Sequence, residues 1–435
     1  MKDQFTFNLN KILNVMTLWM LSTLILFFIS PVKYNVTNKW TLILLVMIYI
    51  FSFYYGGRIG IRKRKRKCSS PVEINLLKSN LRFLRFCIVF ALVFTIARMI
   101  FLLSSYGFGS IVDGLVAAFG DLSGAYNKKM TQTSNWIINY LTILCSPFYV
   151  YALVAGIFNF KKLSAPYKYL YIGYVLIDLS RWFIQGTNKG LFDLLGLVLF
   201  YYLIQRSRKE KRPFSYKRLF GTIIVVALIV LAVMFFYGTI SSRLGNSYFN
   251  LQDQGVKYVD NDSLIFRILP PKISYTIIKL IGYITHGYYG MSLALRLEWI
   301  PMFGVGNSIF LTSFFDQLLN TKMIDYSFLT RVENSFGWSA SIKWHTMYTY
   351  YANDVSFWGV PIIMFIVGYI LMTSLHDYYT RNDMACLSLA YILVMSLLYS
   401  SANNQFLGSS NYIVAVVVFL LIYIFKDKVR VVWKK

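Results

Sequence analysis

The chain has 435 residues, of which 57% are hydrophobic, 18% aromatic and only 14% charged. A soluble domain carries about 25% charged residues, so this chain lacks the charge to cover a soluble surface of its size. A secreted disulfide scaffold, a coiled coil and a DNA-binding domain are excluded, and the net charge of +26 is assigned below to topology and not to nucleic acid.

Long apolar runs make the chain a polytopic membrane protein. Its cysteines, Cys68, Cys87, Cys145 and Cys386, are scattered, so neither a disulfide framework nor a zinc site is expected. The first apolar run has no obvious small-residue cleavage site and reads as a retained anchor. Ten spanning helices are predicted, near 12–30, 40–57, 83–103, 135–158, 169–185, 190–205, 219–240, 357–375, 384–402 and 409–425. Lipid offers no partner to a backbone amide, so these runs are helices and not open strands. The expected fold class is all-α: a polytopic membrane helix bundle of ten to twelve transmembrane helices with one large external loop. Residues 1–240 form an N-terminal bundle of seven helices, 241–356 the loop, and 357–435 a three-helix segment with a basic tail.

Lys and Arg favour cytoplasmic loops. The run from Arg58 to Lys67, the run from Arg206 to Arg218, Lys161, Lys162 and Lys168, and the tail with Lys426, Lys428, Arg430, Lys434 and Lys435 all fall on one side of a ten-span arrangement. Both termini are then cytoplasmic. These runs read as topology determinants that also meet anionic headgroups.

Between the seventh and eighth spans lies the segment 241–356, placed outside. Loops beyond about 15 residues are usually functional or disordered. This one is rich in Tyr and Trp, which disorder does not favour, and its nine Lys/Arg nearly balance its eight Asp/Glu. Its stretches 273–297 and 303–320 are apolar but interrupted by Lys279, His286, Arg296 and Asp316, so they read as interfacial or re-entrant helices. A second external loop, 104–134, carries Asp113, Asp121, Lys128 and Lys129 and has no assigned role beyond lining the outer face.

Ionisable residues inside spans are costly and count as functional candidates. Arg98, Arg181, Lys189 and Arg243 all fall near the outer headgroup level. Asp178 and Arg181 are three apart and can pair, and Asp193 sits just inside the sixth span. Such cations suit an anionic lipid headgroup, above all a pyrophosphate, because Arg offers it bidentate donors and stays charged. The plainer alternative is a structural ion pair with snorkelling cations. Lys189 is flanked by glycines that would let a ligand approach the backbone. The aromatic external segment, with Tyr283, Tyr288 and Trp344, offers ring faces for sugars; the alternative is an interfacial aromatic belt. No phosphate-binding loop, dinucleotide fingerprint, His-Glu-x-x-His or metal-ligand spacing occurs, so a metal-independent site without a cofactor is expected.

In its ten-or-more-span layout with a dominant late external loop, the chain resembles the Wzy-type oligosaccharide repeat-unit polymerases, related to O-antigen polymerases and ligases. The other features are the turn Gly186-Thr187-Asn188-Lys189-Gly190 after Arg181, the segment Tyr283-Ile284-Thr285-His286-Gly287-Tyr288-Tyr289-Gly290, and Tyr348-Thr349-Tyr350-Tyr351 leading to Asp354 and on to Gly359. Lys189 stands where arginine is common in such turns, which loses bidentate geometry. The resemblance implies an inverting membrane glycosyltransferase of capsule, exopolysaccharide or O-antigen type. Donor and acceptor would be undecaprenyl-pyrophosphate-linked oligosaccharides, with a flippase and a chain-length regulator as pathway partners. For such a reaction Arg98, Arg181, Lys189, Arg243 and Arg331 are the candidate phosphate and substrate binders. The candidate bases are Asp354 and His345, then Glu333 and His286. A hydrogen-bonded interfacial histidine is the plainer reading of His286, and a helix-start cap that of Asp354. A flippase for the same lipid-linked oligosaccharide is the alternative function.

Overall fold

The computed structural model describes residues 8–65, 75–131, 136–207, 216–340 and 342–425. Arg66, Lys67, Arg208 to Arg212 and the whole basic tail lie outside them, so the orientation drawn from those runs lies outside the described residues.

Every predicted span falls on a helix. The first three are α1 (Leu9–Ile29), α2 (Lys39–Lys65) and α3 (Asn75–Tyr106). After two short helices, α4 (Ile111–Gly120) and α5 (Leu122–Thr131), the fourth predicted span is a pair, α6 (Trp136–Leu144) and α7 (Ser146–Asn159). Then come α8 (Ala165–Ile184), α9 (Lys189–Ser207) and α10 (Tyr216–Leu244). The late segment supplies α16 (Met347–Arg381), α17 (Met384–Leu398) and α18 (Ser410–Phe425), and between α10 and α16 lie α11 (Leu264–Ile268), α12 (Pro271–Thr285), α13 (Gly287–Ala294), α14 (Ile309–Leu319) and α15 (Phe328–Phe336).

The architecture is an all-α membrane bundle, but the expectation of ten spans is not met by length and composition. Among the described residues five helices, α1, α2, α3, α10 and α16, are individually long and apolar enough to cross a membrane, and α6 with α7 makes a sixth if their 50° bend is a broken span. The shortfall has physical reasons. α8 and α9 carry Asp178, Arg181, Lys189 and Asp193 among their apolar residues. α17 and α18, of 15 and 16 residues, rise only about 22–24 Å, against about 30 Å of hydrocarbon. α12 and α14 are shorter than a span for the same reason.

α2 and α16 meet backbone to backbone. A Cβ at Gly56 would lie 2.1 Å from the Phe365 carbonyl oxygen, and one at Gly368 2.1 Å from that of Phe53. Small residues are how membrane helices come this close. α17 lies at the centre of the bundle, with Met384 and every residue from Cys386 to Leu397 buried.

α16 is interrupted at Ser356, which has φ 59° and ψ 166°. The predicted start of the eighth span at 357 falls on this break. The interruption frees the Asn353 carbonyl, which accepts from the Met302 N–H at 3.1 Å and the Trp299 Nε1–H at 3.2 Å. The Asn353 side chain accepts from the Phe328 N–H at 2.8 Å and donates to the Gly306 carbonyl at 2.8 Å. The 302–307 turn therefore hangs from the upper arm of α16.

Two short strands, β1 (Val32–Tyr34) and β2 (Val256–Val259), pair antiparallel. They tie the α1–α2 connection to the long segment. Asn38 adds to this by donating to the Ser292 carbonyl at 2.8 Å.

Candidate functional site

Two helix-spaced ion pairs form the base of the site. Arg181 meets Asp178 at 3.0 Å and Lys189 meets Asp193 at 2.6 Å, the i,i+3 and i,i+4 geometries that put opposite charges on one helix face. The indole of Trp182 gathers further charge. Arg181 lies 4.3 Å, Lys189 5.6 Å and Lys129 5.7 Å from its ring centre, within the range of cation–π attraction.

Two glycines make this possible, though not by admitting a ligand as expected. A Cβ on Gly190 would lie 2.3 Å from the Trp182 ring, so the glycine lets the indole cross the start of α9. Gly186 has φ +60°, and a Cβ there would lie 2.7 Å from the Leu122 carbonyl oxygen; it seats the start of α5 on the 186–190 turn. Arg243 then locks the corner. Its guanidinium lies 3.7 Å from the centre of the Tyr126 ring on α5 and donates to the Gly186 carbonyl.

Beneath this corner is a cavity of about 70 Å³, lined among others by Arg98, Asp178, Arg181, Trp182, Asp193, Tyr149, Tyr174 and Tyr412. By the measure that gives one water about 10–15 Å³, it has room for roughly five waters. Asp193 also accepts from the Tyr399 hydroxyl at 3.2 Å. Arg98 donates no side-chain hydrogen bond among the described residues. Arg98 and Arg181 line this cavity, matched by Asp178 and Asp193, whereas Lys129, Lys189 and Arg243 stand at the corner outside the lining; the corner as a whole thus sets these five cations against two carboxylates.

Lys129 is the residue that sequence reasoning missed. Burial, followed by the charges of Arg181, Lys189 and Arg243, pushes its ammonium down to about 8. In the sequence it is one of two adjacent lysines in an external loop, and no spacing distinguishes it from Lys128. Only the packing of α5 on the Gly186 turn brings it over Trp182.

Arg98, Arg181, Lys189 and Arg243 are therefore brought together at this corner. The candidates of the long segment behave differently. Tyr283 does reach the corner: its ring lies 5.1 Å from Phe236 and 5.1 Å from Trp344. Burial raises its hydroxyl, and the nearby Arg243 charge acts against that rise. From Trp344 a continuous run of rings leads away through His286, Trp338, Tyr289 and Tyr34 to Phe27, with successive centres 5.0–5.9 Å apart. This run is packing, not an open sugar shelf, as Trp338 is 1% exposed.

Six candidates of the long segment lie outside the cavity lining: Tyr288, His345, His286, Asp354, Arg331 and Glu333. Tyr288 is fully buried and shares a 3.0 Å hydrogen bond with Thr23, so it has no face to offer a sugar. His345 is also fully buried, and burial, with His286 as the second cause, holds its imidazole down to about 3. His286 accepts the Trp344 backbone N–H on Nε2 at 3.1 Å, and burial foremost, with Lys343, holds it to about 4. Its basic nitrogen is already engaged. Asp354 accepts from the N–H groups of Gly304 and Gly306 at 2.8 and 2.9 Å, so it anchors a turn rather than starting a helix. Arg331 donates to the Glu298 carbonyl at 2.7 Å and lies over Phe328. Neither Arg331 nor Glu333 lines the cavity.

No protein-family model, curated protein or solved structure matches the chain.

Proposed function

We propose that the chain is a membrane glycosyltransferase that polymerises undecaprenyl-pyrophosphate-linked oligosaccharide repeat units at the outer face of a bacterial cell membrane. The observation that carries this reading is the gathering of Arg98, Lys129, Arg181, Lys189 and Arg243 at one corner against two carboxylates, Asp178 and Asp193, beside a small cavity. In this reading ten helices cross the bilayer, both termini are cytoplasmic, and the corner opens at the outer leaflet. The growing glycan leaves its lipid diphosphate, and the bond to the non-reducing end of a new repeat unit forms with inversion.

The chemical requirement is stabilisation of charge on the departing diphosphate. Fixed cations in a poorly hydrated site supply it without reorganising at the moment of reaction. Arg181 and Arg98 would face the diphosphate across the cavity, with Lys189 and Lys129 closing over it. A base must take the acceptor hydroxyl proton. Of the carboxylates, Asp178 and Asp193 line the cavity, and Asp178 is the more open, with a side chain 35% exposed against 13%. We assign the base role to Asp178.

A second reading, a flippase for the same lipid-linked oligosaccharide, draws on the pairing of these charges within the helices, which suits a substrate passing through the bundle. One experiment separates the two. In cells lacking the chain, a polymerase defect leaves single lipid-linked repeat units at the outer leaflet, open to an impermeant glycosidase, whereas a flippase defect leaves them protected inside. Normal polymer length in those cells would remove both.

A further inference from the structure

A larger cavity, of about 310 Å³, lies away from the cation corner, where α1 gives way to α2. Its wall is formed by Lys33, Lys39 and Lys257 together with the rings of Phe28, Tyr34 and Tyr258. Its volume falls at the lower end of the range of small-ligand sites.

The backbone is arranged to put these groups on one side. Neighbouring residues of a regular strand point to opposite faces, so Lys257 and Tyr258 would not normally share a wall. β2 is irregular at this point: Lys33 pairs with Tyr258 and Tyr34 with Val256, which leaves Lys257 as an extra residue between them. A bulge of this kind re-aims side chains, and here both Lys257 and Tyr258 line the cavity.

The three ammonium groups make no ion pair among the described residues, although carboxylates are close in sequence. Asp253 is held by Lys343, Asp262 by Arg267 at 3.7 Å, and Asp260 accepts from the Asp262 N–H. Lys33 uses one donor on the Phe28 carbonyl at 2.7 Å, and Lys39 lies 5.2 Å from the centre of the Phe28 ring. The cavity thus combines three positive charges with aromatic faces, of which that of Tyr258 is 51% exposed. Ammonium groups bind acids as point charges, and aromatic faces pack on the apolar faces of sugar rings.

We propose that this cavity is a saccharide site for an acidic sugar, one whose ring rests on Tyr258 while its carboxylate or phosphate meets Lys33, Lys39 and Lys257. Its place in handling the glycan rests on the polymerase reading above; its chemistry does not. A lipid headgroup would use the charges but has no need of the rings. Two residues of the wall, Lys257 and Tyr258, stand on β2 in the long segment and not on a spanning helix.

The test uses the full chain in discs of phosphatidylcholine, titrated calorimetrically with tetragalacturonate and with the neutral maltotetraose. Tetragalacturonate is expected to bind at least tenfold more tightly than maltotetraose and to weaken with added salt. The double variant Lys39→Gln, Lys257→Gln, at two exposed positions, is expected to lose at least tenfold in affinity. Lys39→Arg with Lys257→Arg is expected to retain binding, and so is Arg181→Ala. Equal binding of the two sugars, no binding, or no effect of the glutamine pair would overturn the proposal. So would phosphatidylglycerol in the discs abolishing glycan binding through the same lysines, which would make the site one for lipid. If repeat units fail to accumulate in cells lacking the chain while lysine-dependent binding holds, the polymerase reading falls and the acidic-sugar site stands. The reverse pair of results removes this site alone.

Discussion

The cation corner and the segment between α10 and α16 both drew attention for chemically expensive residues, and they use them in opposite ways. At the corner, side chains on α3, α5, α8, α9 and α10 gather five cations against the two carboxylates Asp178 and Asp193. In the long segment, histidines and aromatics fill space: His345, Tyr288 and Trp338 are 0%, 0% and 1% exposed. A charge kept in a poorly hydrated place calls for a counter-ion, whereas a buried neutral imidazole or phenol needs only packing and hydrogen bonds. Residue type alone therefore does not mark the site; the excess of unneutralised charge does.

That contrast can be broken by variants that separate folding from activity. The largest effect is expected from Trp338→Ala, which empties a fully packed position and should cost about 3–5 kcal/mol of stability. Thermal unfolding in detergent would show it, while polymerisation per folded molecule stays near normal; a selective loss of rate would instead place the long segment in the site. Arg181→Ala should do the reverse. Losing a fixed group that stabilises transition-state charge costs about 100-fold or more in rate, here with an unfolding temperature within a few degrees of the parent. A rate within threefold of the parent, measured as polymer formed from purified lipid-linked repeat units, would remove the corner from the mechanism.

A pH series sharpens the comparison. His286 and His345 are held at about 4 and about 3 in the folded chain, below the usual 6.5 of an unfolded histidine. The unfolded state therefore binds more protons between those values. Stability contributed by the neutral imidazoles is present above about pH 6.5 and is lost as pH falls toward 4, by up to about 1.4 kcal/mol per pH unit for each histidine. His345→Leu should flatten this slope, as followed by unfolding temperature against pH; an unchanged slope would contradict the burial assigned to it. At the corner the sign is opposite. Lys129, held at about 8, loses its charge as pH rises through that value. The kcat/KM profile, which reports the free enzyme, should fall above about pH 8. Lys129→Met should lower the plateau about tenfold and remove that alkaline limb. A limb that persists in Lys129→Met would assign it to another group.

The features that were legible in the sequence are local ones. Asp178 with Arg181 and Lys189 with Asp193 are separated by three and four residues, and the pairs form as that spacing requires. The sequence puts Arg98, Arg181, Lys189 and Arg243 at one expected depth and leaves their lateral positions open; the packing of α3, α8, α9 and α10 brings them together. What could not be seen depends on contacts between distant parts of the chain. Lys129 reaches Trp182 only because a glycine with φ +60° lets α5 rest on the 186–190 turn. Asp354 has the composition of a helix cap, but the break at Ser356 turns it toward Gly304 and Gly306. Tyr283 and Tyr288 are five residues apart in the same aromatic stretch; one lies beside Arg243, and the other is sealed against Thr23. Spacing cannot tell such neighbours apart. The helix count suffered likewise, because α17 is both short and wrapped on all sides, so its apolar run reports burial in protein as much as burial in lipid.

The glycine contact between α2 and α16 carries a consequence for biogenesis. The two helices press carbonyl against α-carbon across about 300 residues of intervening chain, so neither has its proper partner when the ribosome first delivers α2. Contacts of such long sequence separation form late. The early hairpin must wait with its glycine track uncovered until α16, in about the last fifth of the polypeptide, has been made. Only then is the platform completed from which the 302–307 turn is suspended, and placement of that turn is tied to the late arrival of α16.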